Sequence, residues 1–224
     1  MADQDEHPEA IEPGEAERLG TAGSTVKEGV GRTLDGEGDE EGDEEGDRKS
    51  EAEIVALVRK TVADALQAGG SAASQTVAVV RDVVSGGISA AETAGSKLAL
   101  TTKAVAKGIM LGVSDAGGDA VKAAGETASA AVSSASKLGT DVGVVARRAV
   151  DGIVEATSET GGNVAEIAKA AATSAVQAAG SVGSTAVATV REFLAGVAEG
   201  LKDVAAAVLP RSRTRGDEPP SGER

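Results

Sequence analysis

Residues 139–160 read GTDVGVVARRAVDGIVEATSET. Numbered from Gly139 as zero, Val142, Ala146, Ala149, Ile153, Thr157 and Thr160 stand at places 3, 7, 10, 14, 18 and 21. These reduce to places 3, 7 and 10 of an eleven-residue step, and eleven residues close three α-helical turns at about 3.67 residues each. The stripe is therefore helical. A strand would need alternation at period two over short segments bounded by turns, which this pattern lacks. Counted from Gly183, the same places hold Ala186, Val190, Phe193, Val197, Leu201 and Val204.

Outward from this unit the frame holds at a step of 22, twice eleven. Gly95, Gly117, Gly139, Gly161 and Gly183 form one column, and Arg59, Arg81, Lys103, Arg147, Lys169 and Arg191 fill six of seven slots of another, with Gly125 the exception. Only 13 of the positions from 51 to 209 are basic, so a random chain would rarely fill that column. Fixed-period self-similarity decides architecture before any local motif does. With places 0 and 4 included, the apolar and small residues gather into an arc of roughly 130°, the width of an amphipathic face. The expected fold is all-α: one extended amphipathic helix, or helical hairpins, built from 22-residue (2 × 11) repeats over residues 51–209. A continuous helix of that span would be roughly 240 Å long. Hairpins would fold at the glycine pairs Gly69-Gly70, Gly86-Gly87, Gly117-Gly118 and Gly161-Gly162. Nineteen glycines lie in this zone, and each interior one costs about 1 kcal/mol relative to Ala, so the helix needs a partner surface.

Charge divides the chain. Residues 1–50 hold 17 acids and 5 bases, with EGDEEGDEEGD at 37–47, and read as a disordered acidic arm. Residues 210–224, PRSRTRGDEPPSGER, read as a disordered Arg/Pro-rich tail. The middle zone is mostly Ala, Val and Gly, with Phe193 the single aromatic residue. Burying Ala removes little apolar area, which argues against a tightly packed core. No cysteine is present, so disulfides and thiolate sites are excluded. The acidic start lacks a secretory apolar stretch, and no apolar run reaches membrane-spanning length, so a cytoplasmic protein, peripheral at most on a membrane or inclusion, is expected.

His7, the one histidine, lies in the acidic arm, which leaves no His-based catalytic or metal site; no enzyme and no cofactor is expected. Asp35, Glu37, Asp39 and Glu41 lack an ordered calcium loop, and Arg215 to Asp217 is a chance Arg-Gly-Asp string. Nucleic acid is disfavoured by the acidity and the missing stacking residues. Small-residue GxxxG pairs at Gly108/Gly112, Gly139/Gly143 and Gly196/Gly200 permit close helix approach.

The expected role is a non-enzymatic coat on a lipid membrane, lipid droplet or storage granule. Phe193, Leu194, Val197, Leu201, Val204, Val208 and Leu209 form the strongest apolar face and would anchor it. Arg81, Lys103, Arg147, Lys169 and Arg191 border the stripe, where their stems can cover apolar surface while their charges reach water. The alternative is a self-assembling helical bundle or coiled coil, a homo-oligomer, since an eleven-residue repeat gives straight or right-handed packing. A stress-protective chain is the third reading.

The eleven-residue step, the Ala/Val/Gly/Thr/Lys composition and the acidic arm together resemble the synucleins, and more distantly the exchangeable apolipoproteins with their 22-residue repeats. Thr25 to Gly31, TVKEGVG, is similar to the synuclein KTKEGV element. The resemblance implies a chain that becomes an extended helix on lipid. Phasins and late-embryogenesis proteins share the helical-repeat style.

Overall fold

The computed structural model describes residues 13–35, 44–69, 73–94 and 97–195. Among them the only regular structure is helical: α1 (Pro13–Asp35), α2 (Glu44–Gly69), α3 (Ala73–Ala94), α4 (Leu98–Asp115), α5 (Ala120–Leu138), α6 (Val142–Glu159), α7 (Val164–Val182) and α8 (184–195). The all-α expectation holds, and of its two forms the chain takes the folded one.

The turns explain why. Gly117, Gly139 and Gly161 adopt φ of +69°, +72° and +71°, a left-handed conformation that suits a residue without Cβ. At each, the next residue's amide donates to the carbonyl five places back: Gly118 to Val113 at 2.9 Å, Thr140 to Ala135 at 2.9 Å, Gly162 to Thr157 at 3.0 Å. That bond seals a helix C-terminus. Two residues past each glycine a side chain opens the next helix. Asp119 accepts from the Lys122 amide, Asp141 from those of Gly143 and Val144, and Asn163 from that of Glu166. The helix of one unit is thus 18 or 19 residues long, and the rest of the 22 is turn.

This corrects the placing of the glycine column within the apolar arc. Gly117, Gly139 and Gly161 break the helix and belong to no face. Gly86 and Gly87, expected as a bend, lie inside α3.

From α1 to α7 each helix packs most extensively on the helix two places along the chain and more lightly on its immediate neighbours, and α8 meets α6 where Thr189 and Phe193 lie against Gly143. The result is two rows, α1-α3-α5-α7 and α2-α4-α6-α8, with the core between and within them. Within a row the helices run parallel, since Gly108 of α4 faces Val55 and Val58 of α2 while Gly112, one turn on, faces Arg59 and Val62. A Cβ on Gly112 would come within 2.6 Å of the Arg59 carbonyl oxygen, and one on Gly152 of α6 would overlap the Lys103 carbonyl of α4. Backbones touch at these seams.

The stripe lies inside. Ala146, Ala149, Ile153 and Thr157 are buried as the spacing predicts, while Val142 is half-buried and Thr160 sits exposed in the turn. Contrary to the expectation from composition, Val58, Val83, Ile109, Val132 and Ile153 join many alanines in one continuous core. Full burial of one such Ile or Val contributes about 2 kcal/mol, and small neighbours let these side chains meet across short interhelical distances.

Residues 1–50 also need correction. Residues 13–35, expected within the disordered arm, form α1, and Val26 and Val30 of the Thr25–Gly31 stretch are 0% exposed. Val26, Val30 and Leu34 recur at four-residue steps and seat α1 on the rest of the chain. Residues 44–50 belong to α2. The remainder of the arm, and 210–224, lie outside the described residues.

Candidate functional site

The even row carries a continuous chain of charges. Lys103, in the middle of α4, sits 2.8 Å from Glu51 of α2 and 2.8 Å from Glu155 of α6. Lys107, one turn on, sits 2.7 Å from Glu155 and 2.6 Å from Glu159. Arg59 of α2 grips Asp115 of α4 with two bonds, 2.5 and 2.8 Å. Three helices are therefore bridged by alternating signs. At Lys103 and Lys107 burial works against the charge, but the facing glutamates outweigh it and raise both ammonium pKa values. Burial likewise pushes Glu155 upward, yet the two lysines hold its carboxyl below the ordinary range. The Arg59 bond keeps Asp115 low.

Two half-buried aspartates behave in the opposite way. Asp82 of α3 accepts a 2.5 Å hydrogen bond from the Gly23 amide of α1, but desolvation dominates and raises its pKa. Asp151 is raised by burial despite Arg148 and Arg147 nearby.

The predicted basic residues divide accordingly. Lys103 belongs to the charge chain, Arg81 bonds Glu126 of α5 at 3.0 Å, and Arg147 reaches Asp151 at only 3.9 Å. Lys169 and Arg191 are exposed and have no ion-pair partner among the described residues. Only these last two stand as free flanking charges. Of the predicted anchors, Leu194 is buried and Phe193 half-buried, and the Phe193 ring lies against Gly143, where an added Cβ would come within 2.6 Å of it. Phe193 thus faces α6, and Leu194 joins the core. Val197, Leu201, Val204, Val208 and Leu209 lie outside the described residues.

Sequence reasoning did not mark Glu51, Lys107, Asp115, Glu155 or Glu159. The signal available was spacing: Lys103 to Glu155, Lys107 to Glu159 and Glu51 to Lys103 each span 52 residues, the 44-residue step between row neighbours plus two turns.

The odd row presents shallow grooves. One of about 470 Å³ lies between α5 and α7, bordered by Lys122, Gly125, Glu126, Lys169, Thr173 and Ser174. It opens where Gly125 interrupts the basic column. Among the described residues no group of three or more His, Cys, Asp or Glu is arranged to hold a metal ion, and no helix is long and apolar enough to cross a membrane. His7 lies outside the described residues, as do Glu37, Asp39, Glu41, the Gly196/Gly200 pair and Arg215 to Asp217. In comparisons with known proteins, no family model and no curated protein matches this chain.

Proposed function

We propose that this is a non-enzymatic helical-repeat scaffold, a structural assembly protein whose amphipathic stripe binds helix to helix within the chain. The supporting observation is burial. Ile109, Val132 and Ile153, one stripe residue on each of three successive helices, are 0% exposed, so the apolar face that a boundary coat would present is already occupied. Among the described residues, what remains outside is polar and small except for Val121 and Val182, and it lies along two rows, the type of surface that repeat scaffolds use for partners.

A surface coat is the second reading, favoured by the construction of α8. Its described part is held on α6 through Thr189 and Phe193 against Gly143, with Val190 and Leu194 buried. Among the described residues α8 has a row neighbour on one side only, and an element packed on one side opens early; opening would free the face that includes Phe193 and Leu194 for lipid or a granule.

Circular dichroism of the full chain separates the readings. The scaffold requires strong helical signal in dilute buffer, unchanged by anionic or neutral vesicles. A coil in buffer that becomes helical only with vesicles overturns the scaffold in favour of the coat. Helix arising only on drying overturns both in favour of a stress protectant.

A further inference from the structure

We infer that a cavity between α3 and α5 binds a phosphate monoester group, held by Arg81, Lys137 and four serine hydroxyls. The inference goes beyond the scaffold reading but rests on it, since the cavity exists only in the folded chain. It measures about 310 Å³ and is bordered by Arg81 and Ser85 of α3 and by Ser129, Ser133, Ser134 and Lys137 of α5. Helical spacing sets the order. Ser129, Ser133 and Lys137 stand one turn apart along α5, as Arg81 and Ser85 do along α3. Arg81 reaches Glu126, one turn before the serines, and Lys137 follows them, so a base stands at each end of a floor of hydroxyls. The volume falls at the lower end of the range for small-molecule sites, roughly 300–1,000 Å³.

Ser134 is the observation that points to a ligand. It is 8% exposed, it borders the cavity, and among the described residues its hydroxyl makes no hydrogen bond. A helical hydroxyl can satisfy itself on the carbonyl one turn back. Ser50, the other buried serine among the described residues, does so on the Gly46 carbonyl at 3.1 Å. A hydroxyl left unpaired in a buried place costs free energy that a ligand oxygen recovers. Ser85, Ser129 and Ser133 also have no hydrogen-bond partner among the described residues, so four O–H donors share one space.

Charge decides the class of ligand. Among the described residues no carboxylate borders the cavity, in a chain whose net charge is −14. Lys137 is exposed and has no ion-pair partner among the described residues. Arg81 places Nε and Nη2 on one oxygen of Glu126, at 3.1 and 3.0 Å, which leaves the two N–H groups of Nη1. Cationic and hydroxyl donors without acids select an oxyanion, through charge-assisted bonds. A phosphate monoester brings three acceptor oxygens and a charge of about −1.5 to −2, enough to engage both helices at once. Serine hydroxyls accept as well as donate, so a hydroxyl-bearing body on that phosphate suits the floor.

Isothermal titration calorimetry of the full chain with glucose 6-phosphate, inorganic phosphate and glucose at fixed ionic strength tests this, with Lys137→Ala, Ser134→Ala and Lys122→Ala as variants. Lys122 also lies on α5 but borders the other groove. The expected result is saturable binding of both phosphates and none of glucose. Binding should weaken about tenfold in Lys137→Ala and roughly fivefold in Ser134→Ala, and change less than about twofold in Lys122→Ala. Because the Ser134 hydroxyl has no partner in the free chain, Ser134→Ala should not lower the melting temperature without ligand, which a merely structural serine would do. Vesicles containing phosphatidic acid form a separate arm: cosedimentation that depends on Lys137, without binding of the soluble phosphates, keeps the phosphate chemistry and places the group on a lipid headgroup. A folded chain that binds in no arm overturns the site, as does binding of glucose equal to that of glucose 6-phosphate or equal weakening by Lys122→Ala. A chain without helix in buffer instead removes the scaffold reading beneath it.

Discussion

One methyl group separates the two kinds of glycine in this chain. In an unhindered helix interior, Gly→Ala stabilises by about 1 kcal/mol because Ala loses less backbone entropy on folding. At Gly152 the new Cβ would overlap the Lys103 carbonyl, a backbone atom that no rotamer change can move. The helices must part instead, and overpacking of this sort costs roughly 1–3 kcal/mol. Gly152→Ala should therefore lower the urea midpoint, whereas Gly180→Ala, whose Cβ would meet nothing within 4 Å, should raise it; stabilisation by both would mean that α4 and α6 do not touch as described. The seam was partly legible. Gly108 and Gly112 carry a recognisable four-residue spacing, but Gly152 stands alone and shows itself only at the 22-residue step, where positions 86, 108, 130, 152 and 174 hold Gly, Gly, Ala, Gly and Ser.

At the scale of one element, the turn between α5 and α6 is specified twice, by Gly139 as stop and Asp141 as start. Asp141→Ala removes the acceptor for the Gly143 and Val144 amides, at 2.9 and 3.0 Å, and should cost about 1 kcal/mol. Gly139→Ala forces a Cβ into φ of +72° and should cost roughly 1–2 kcal/mol. Chemical denaturation of both variants checks the order, and no loss in either would show that tertiary packing alone sets the turn. These signals were present in the sequence as Gly-x-Asp and Gly-x-Asn. Two of these turns are the glycine pairs Gly117-Gly118 and Gly161-Gly162 at which the hairpin form bends, while Gly139 stands only in the stripe, because helix plus turn has the same 22-residue period as two eleven-residue steps. Residues 13–35 were obscured differently. Their Val26, Val30 and Leu34 were averaged with an acidic run whose charge dominates any count over 50 residues.

Across the whole molecule, the carboxylates pull stability in opposite directions as pH changes. Glu155 has its folded pKa depressed by Lys103 and Lys107, so its contribution is present above the unfolded value near 4.3 and is lost as pH falls through the lower, folded value. Asp82 has its folded pKa raised by burial, so the folded chain holds its proton longer. Stability is then lost as pH rises from the unfolded value near 3.9 through the raised one. The facing groups explain the contrast: Glu155 meets two ammonium groups, while Asp82 accepts from the Gly23 amide and has no ion-pair partner among the described residues. The Glu155 partnership leaves only its 52-residue spacing in the sequence, which points to a contact once the two-row arrangement is known, and the Asp82 contact leaves no local pattern. Asp82→Asn keeps an acceptor for Gly23 and removes the charge, so it should stabilise at neutral pH, with a difference from wild type that shrinks towards zero in acid. Glu155→Gln should destabilise at neutral pH, and its difference should also vanish in acid. Thermal melts of the three proteins at several pH values supply the comparison. A Glu155→Gln deficit that persists below the carboxylate range would assign the charge chain to packing, and an Asp82→Asn gain independent of pH would do the same for the contact between α1 and α3.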